Sequence, residues 1–290
     1  MTPSFRPPHG IAFLIALCVA LSGCGTTPER TSSAIPVAGV GFVPAIDPLP
    51  LIRDAADQEA LYTLAGGLKP MSSGFWQASF AVDEPNFVEL EQVRHALGVL
   101  RNDTWYADVQ VFAKAYDGER SAQAFVVHRN ALRRMIERHA DFWNPWGITP
   151  STHPAVIVAV VDRMPKADRW RGYGHLFGYP DAAVDFFVEA GLAAAAGGEI
   201  GPGKDRQFVQ IPTHAFETGR FTYAVPLDHT ETAADATLAS RASRILEAYR
   251  AQRDNLTDAT TMIKELDELD RRFEAEMRSP GEHDAVLDAR

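Results

Sequence analysis

Eleven consecutive apolar residues, Ile11 to Leu21 (IAFLIALCVAL), stand near the start of a 290-residue chain and set its leading part apart from the rest. A membrane-spanning helix needs about 20 such residues, so this run is too short to cross a bilayer. Behind Arg6 and the Pro7-Pro8 break it has the length of a signal-peptide core. The only cysteines, Cys18 and Cys24, both lie in this leading part. Everything after residue 24 is thiol-free, which excludes disulfides, cysteine metal sites and cysteine catalysis there. Whatever folds beyond it does so without disulfide cross-links.

The apolar run closes on Leu21-Ser22-Gly23-Cys24: an aliphatic residue, two small ones, then cysteine. This resembles the lipobox of bacterial lipoproteins. The resemblance implies that a diacylglycerol is attached to Cys24 and that cleavage makes Cys24 the first residue of the exported chain. Several acyl chains together make a stable anchor, at about 0.8 kcal/mol per buried methylene. Gly25 stands where an aspartate would retain the protein at the inner membrane of many Gram-negative bacteria. The resemblance therefore implies a cell-envelope protein, at the outer membrane and facing the periplasm if the source is Gram-negative. The alternative is an ordinary signal peptide cleaved near Ala20. That leaves Cys24 as a free thiol, a liability in an oxidising envelope.

Lys+Arg number 28 against 38 Asp+Glu, a net charge of −10, and loss of Arg6 with the signal takes it to −11. Such a surface repels phosphate backbones and anionic headgroups, so no nucleic-acid partner is expected. No polybasic patch is present to assist the lipid. The expected organisation is a signal peptide at 1–23, a flexible tether at 24–50, a globular domain at 51–230, a helical region at 231–279 packed on it, and a disordered tail at 280–290. The tether reading rests on a Thr-, Ser-, Pro- and Gly-rich composition.

Within the globular part, helical spacing appears over Leu51–Ala65, stopped by Gly66-Gly67, and over Asn86–Leu100. The clearest hairpin is Tyr106–Ala115 with Ala122–His128 around Asp117-Gly118. A helix follows from Asn130 to about Phe142. Val156–Val161 (VIVAVV) reads as a strand buried on both faces. Pro180 suits a helix start with Asp181 in its first turn. Gln207–Ile211 and Phe221–Val225 make a second hairpin, and two helices, Thr232–Arg253 and Thr257–Met277, end the chain. Hairpins with interspersed helices predict one α+β domain rather than a doubly wound parallel sheet.

Few features carry chemistry. Gly198 to Lys204 satisfies G-x-x-x-x-G-K, but Asp205 replaces the hydroxyl residue, Pro202 removes a donor, and the strand–loop–helix frame is missing, so it reads as a loop. No G-x-S-x-G nucleophile elbow is present. The most unusual stretch is Arg169 to Val188 (RWRGYGHLFGYPDAAVDFFV), with Trp170, Tyr173, His175, Phe177 and Tyr179 among three glycines. Its Gly-Tyr-Pro turn is similar to a segment of some prokaryotic proteins of unknown activity, which carry two cysteines where this chain has Ala182-Ala183. Such a turn either serves packing or offers His175, Tyr179 and Asp181 to a ligand at a helix start. The loop Phe142–Pro154 sets Trp143 and Trp146 among prolines, either to order the loop or to stack a ring such as a sugar.

None of the histidines forms H-E-x-x-H or H-x-H. Only an assembly of distant loops would make a metal site, so neither a metal nor a cofactor is expected. Asp162, at the end of the 156–161 segment, either faces a crevice or pairs with neighbours. The expectation is a lipid-anchored envelope protein whose domain binds an envelope protein, a glycan or a small ligand. The alternative is an envelope hydrolase using His175 with Asp162, Asp181 or His214.

Overall fold

The computed structural model describes residues 45–85, 87–195 and 206–277. The expected signal peptide, Cys24, the expected tether up to residue 44, the 198–204 loop and the expected tail at 280–290 lie outside the described residues.

Tight turning at Asp117-Gly118 joins β2 (Trp105–Tyr116) to β3 (Glu119–His128), paired from Trp105↔His128 to Tyr116↔Glu119. Strand β1 (Met71–Ala81) pairs with the other edge of β3, from Met71↔Val127 to Ala81↔Glu119, giving an antiparallel sheet in the order β1-β3-β2. Side chains alternate across a strand. Ala107, Val109, Ala122, Ala124 and Val126 enter one core, while Tyr106, Phe125 and Val127 enter another. Both faces of the sheet are therefore covered.

The first face carries α1 (Pro48–Asp57), α2 (Leu61–Leu64), α3 (Phe87–Ala96), α9 (Ala233–Gln252) and α10 (Ala259–Met277). The second carries α4 (Arg129–Arg138), α5 (Ala140–Trp143), α6 (Pro154–Arg163) and α7 (Lys166–Leu176). Helix α8 (Asp181–Ala195) packs on α7 and on β5 (Phe221–Pro226), which pairs with β4 (Arg206–Ile211) in a second, two-stranded sheet. The chain is a single α+β domain. No helix among the described residues is long and apolar enough to cross a membrane.

Several boundaries follow from local chemistry. Asp47 accepts the Leu49 N–H (2.9 Å) and Pro48 opens α1, so the helix begins three residues inside the expected tether. Thr232 and Asp235 close a capping box at the start of α9. Met262, Leu266, Leu269 and Phe273 of α10 are buried in the first core, so that apolar stripe faces its own domain.

The expected strand at Val156–Val161 is a correction: these residues lie in α6. Ile157, Val158, Val161 and Met164 are buried while Val156 and Ala159 face outward, the spacing of a helix and not of a strand. The His153 ring accepts the Ala155 N–H (3.3 Å) and Pro154 takes the first turn, where its missing N–H costs nothing. A β-branched run becomes a helix because its cap and its one-sided burial outweigh a weak propensity.

Candidate functional site

Helix α7 delivers His175 in its last turn and then stops abruptly. The Tyr179 N–H bonds back to the Gly174 carbonyl (3.1 Å) and the Gly178 N–H to the His175 carbonyl (3.1 Å), a Schellman cap. Gly178 holds φ at +69, and a Cβ there would lie 2.8 Å from the Leu68 carbonyl oxygen. Gly174 lets α8 come close, since a Cβ on it would sit 2.7 Å from Val184. The Gly-Tyr-Pro segment is thus a chain reversal, and it returns Asp181 beside His175.

A third side chain arrives from elsewhere. His139 sits at the junction of α4 and α5, where its carbonyl accepts the Phe142 and Trp143 N–H groups. Its imidazole stacks on that of His175, with centroids 3.9 Å apart and planes 23° apart. Phe142 meets His175 edge-on at 5.4 Å and Trp143 lies at 6.3 Å. Asp181 Oδ1 is 3.5 Å from His139 Nε2 and 4.0 Å from His175 Nδ1. His175 is 5% exposed and its Nδ1 has no hydrogen-bond partner, whereas the Asp181 side chain is largely exposed. Exposure thus rises from buried His175 through half-buried His139 to exposed Asp181.

Burial drives the His175 pKa down to about 3, helped by His139 and Arg171 and opposed by Asp185. His139 is lowered too, chiefly by burial, with Arg138 and Arg171 adding to the effect and Asp181 and Asp185 opposing it. Both imidazoles are therefore neutral near pH 7. A neutral imidazole offers a lone pair, and here that lone pair belongs to a ring that resists protonation.

The other expected residues go elsewhere. Tyr179 stacks on Phe221 (6.2 Å) and, with Phe177 and Phe221, encloses the ammonium of Lys69, which lies 5.8, 5.3 and 4.5 Å from the three rings. Lys69 is fully buried and pairs with Glu59 Oε2 at 2.6 Å. Trp143 is fully buried and its indole N–H donates to Met135 Sδ (3.2 Å), so it packs the wall of the histidine cluster. Trp146 is separate, lining a shallow apolar groove of 440 Å³ along the outer face of α6.

Asp162 accepts the Ala113 N–H of β2 (2.7 Å), and the His214 ring lies edge-on to Tyr249 (6.1 Å). Neither belongs to the His139–His175–Asp181 group. The sequence reading missed His139, and no local pattern marks it, because its partner lies two helices further along the chain.

A second His/carboxylate group, His128 with Asp270 and Glu274, is structural. His128 Nδ1 accepts the Ala131 N–H (3.1 Å), so Nε2 carries the proton and donates to Asp270 (3.1 Å). Asp270 also accepts the Gly66 N–H (2.7 Å), and Glu274 accepts from Arg134 (3.1 Å). No imidazole lone pair is left there for a ligand.

Fold and site together define an α+β domain with a neutral pair of histidines, His175 buried and His139 half-buried, and an exposed carboxylate beside them. No protein-family model, curated protein or solved structure matches the chain.

Proposed function

We propose that this protein is a lipid-anchored component of the cell envelope whose α+β domain acts by binding, with the His139–His175–Asp181 cluster as its ligand site. The lipobox ending at Cys24 supports the anchor. The observation that carries the binding reading is His175 itself: buried, unpartnered at Nδ1 and held near pKa 3. A general base works best with a pKa near the operating pH and with an orienting partner in hydrogen-bond reach. His175 has neither, since Asp181 stands at 4.0 Å. The hydrolase alternative also names Asp162, which accepts the Ala113 N–H, and His214, which lies beside Tyr249; neither stands with His175.

Replacing Cys24 with Ser is expected to abolish labelling by a radioactive acyl precursor and to release the protein from washed membranes. Labelling that persists in the variant would overturn the anchor. For the binding reading, the full-length protein is expected to release no sugar from labelled envelope glycan. Release that disappears in His175→Gln would replace binding by hydrolysis.

A further inference from the structure

We propose that His139, His175 and Asp181 form a site for one divalent transition-metal cation of the zinc class. This deepens the binding reading of the same cluster and does not depend on the lipid anchor.

The orphaned His175 Nδ1 is the starting point. A buried polar atom without a partner costs about 1–3 kcal/mol, and native structures place few of them without a reason. Asp181 Oδ1 stands 4.0 Å from this atom, and the same oxygen is 3.5 Å from His139 Nε2. The three atoms lie within 4.8 Å of one another. Two imidazole nitrogens and a carboxylate oxygen are thus near enough to share one ion once the rings turn toward it. One water can donate to only two of the three, whereas a cation satisfies all of them.

The spacing suits a small ion. Zinc binds imidazole nitrogen and carboxylate oxygen at about 2.0–2.2 Å, which places tetrahedral ligand atoms roughly 3.3–3.6 Å apart by geometry. The His139–Asp181 separation of 3.5 Å already matches. Closing the His175 side requires the two rings to splay well beyond their 23° stack, which His139, half-buried, has room to do, and a swing of Asp181, whose carboxylate is mostly in solvent. Two imidazoles and one carboxylate form a nitrogen-rich set that suits zinc, cobalt or nickel, whereas calcium and magnesium take oxygen ligands. Of the two arginines that oppose a positive charge here, Arg138 and Arg171, the second is paired with Asp185. The exposed rim leaves the remaining coordination positions to water.

The test uses the full-length protein in detergent, stripped with a chelator and titrated with Zn²⁺ alone, then with Co²⁺ for its visible absorption. One equivalent is expected to bind. The Co²⁺ spectrum should report a four- or five-coordinate ion. Asp181→Ala, at an exposed rim position, and His139→Ala should each weaken binding at least tenfold with the circular dichroism unchanged. His175→Gln should remove it.

Absence of stoichiometric binding overturns the proposal. So does binding that Asp181→Ala and His139→Ala leave unchanged, because the ion would then sit elsewhere. A failed titration removes only the cation and leaves the anchored binding module standing. Glycan hydrolysis that depends on His175 would remove the binding reading even where one equivalent of zinc binds.

Discussion

Replacing Glu59 with alanine is expected to destabilise the fold by about 3–5 kcal/mol at pH 7, the cost of leaving a buried charge without its partner. Lys69 has no solvent exposure, and Glu59 Oε2, at 2.6 Å, is its only carboxylate contact among the described residues. The rings of Phe177, Tyr179 and Phe221 favour the ammonium through their π faces, but such contacts contribute about 2 kcal/mol or somewhat more when desolvated, less than the desolvation of the charge costs. Burial already lowers the Lys69 pKa, against the pull of Glu59. Without Glu59 the lysine folds neutral. Neutralising an amine with a solution pKa of about 10.4 at pH 7 costs about 5 kcal/mol, which caps the effect.

The sign of the pH dependence identifies the mechanism. In the variant the unfolded chain holds a proton that the folded chain lacks, so stability rises with pH by about 1.4 kcal/mol per unit up to about pH 10. The double variant Glu59→Gln with Lys69→Met removes both charges and should recover most of the loss. Urea unfolding at pH 7 and pH 9 measures all of this. A Glu59→Ala variant as stable as the parent at pH 7 would mean that the pair contributes nothing.

The second large effect is on the acid side. His175 has a folded pKa near 3 against a usual value of about 6.5, so between these values the unfolded state binds a proton that the folded state does not. Stability contributed by the neutral ring is complete above about pH 6.5. It is lost by about 1.4 kcal/mol per unit as pH falls, close to 3 kcal/mol between pH 6 and pH 4. His139, lowered for the same reason, adds to the slope.

Asp57 and Asp235 act in a different window. Arg253 and Tyr249 hold the Asp57 pKa down against burial, and Thr232, Tyr223 and His229 do the same for Asp235. Their stabilising effect is lost only below the ordinary carboxyl value of about 3.9. Replacing His175 with Phe keeps an aromatic ring between Phe142 and Trp143 and removes the titration. The slope of unfolding free energy from pH 6 to pH 4.5, in chelator, should flatten by about 1.4 kcal/mol per unit. An equal slope in both proteins would remove His175 as its source.

Hairpins were the most legible part of this chain. Asp117-Gly118 between alternating runs fixes β2 and β3, and the α+β class follows from it. The 156–161 run was not legible from its apolar residues, because a short β-branched run fits a buried strand or a buried helix equally well. The decisive signal lay upstream, where His153 and Pro154 make a helix start. Residues Arg169–Leu176 look like a glycine-rich turn yet form α7, since Gly172 and Gly174 serve close contact with Val161 and Val184.

His175 and Asp181 were visible in the sequence as neighbours across a turn. Their assembly with His139 was not, because it depends on how α4, α5 and α7 stack over the sheet. Tyr179 and Trp143 drew notice as aromatic residues, and their aromatic character is used for enclosing Lys69 and walling the cluster.

The central claim is that His175 is held neutral for ligand binding and not poised for proton transfer. The most direct measurement is an NMR titration of the imidazole nitrogens of the chelator-treated full-length protein between pH 8 and pH 4.5, assigned by comparison with His175→Phe and His139→Ala. The account predicts that the His175 signals keep their neutral positions throughout, with no midpoint in that range. A His175 midpoint near 6.5 would contradict it and return the site to acid–base chemistry.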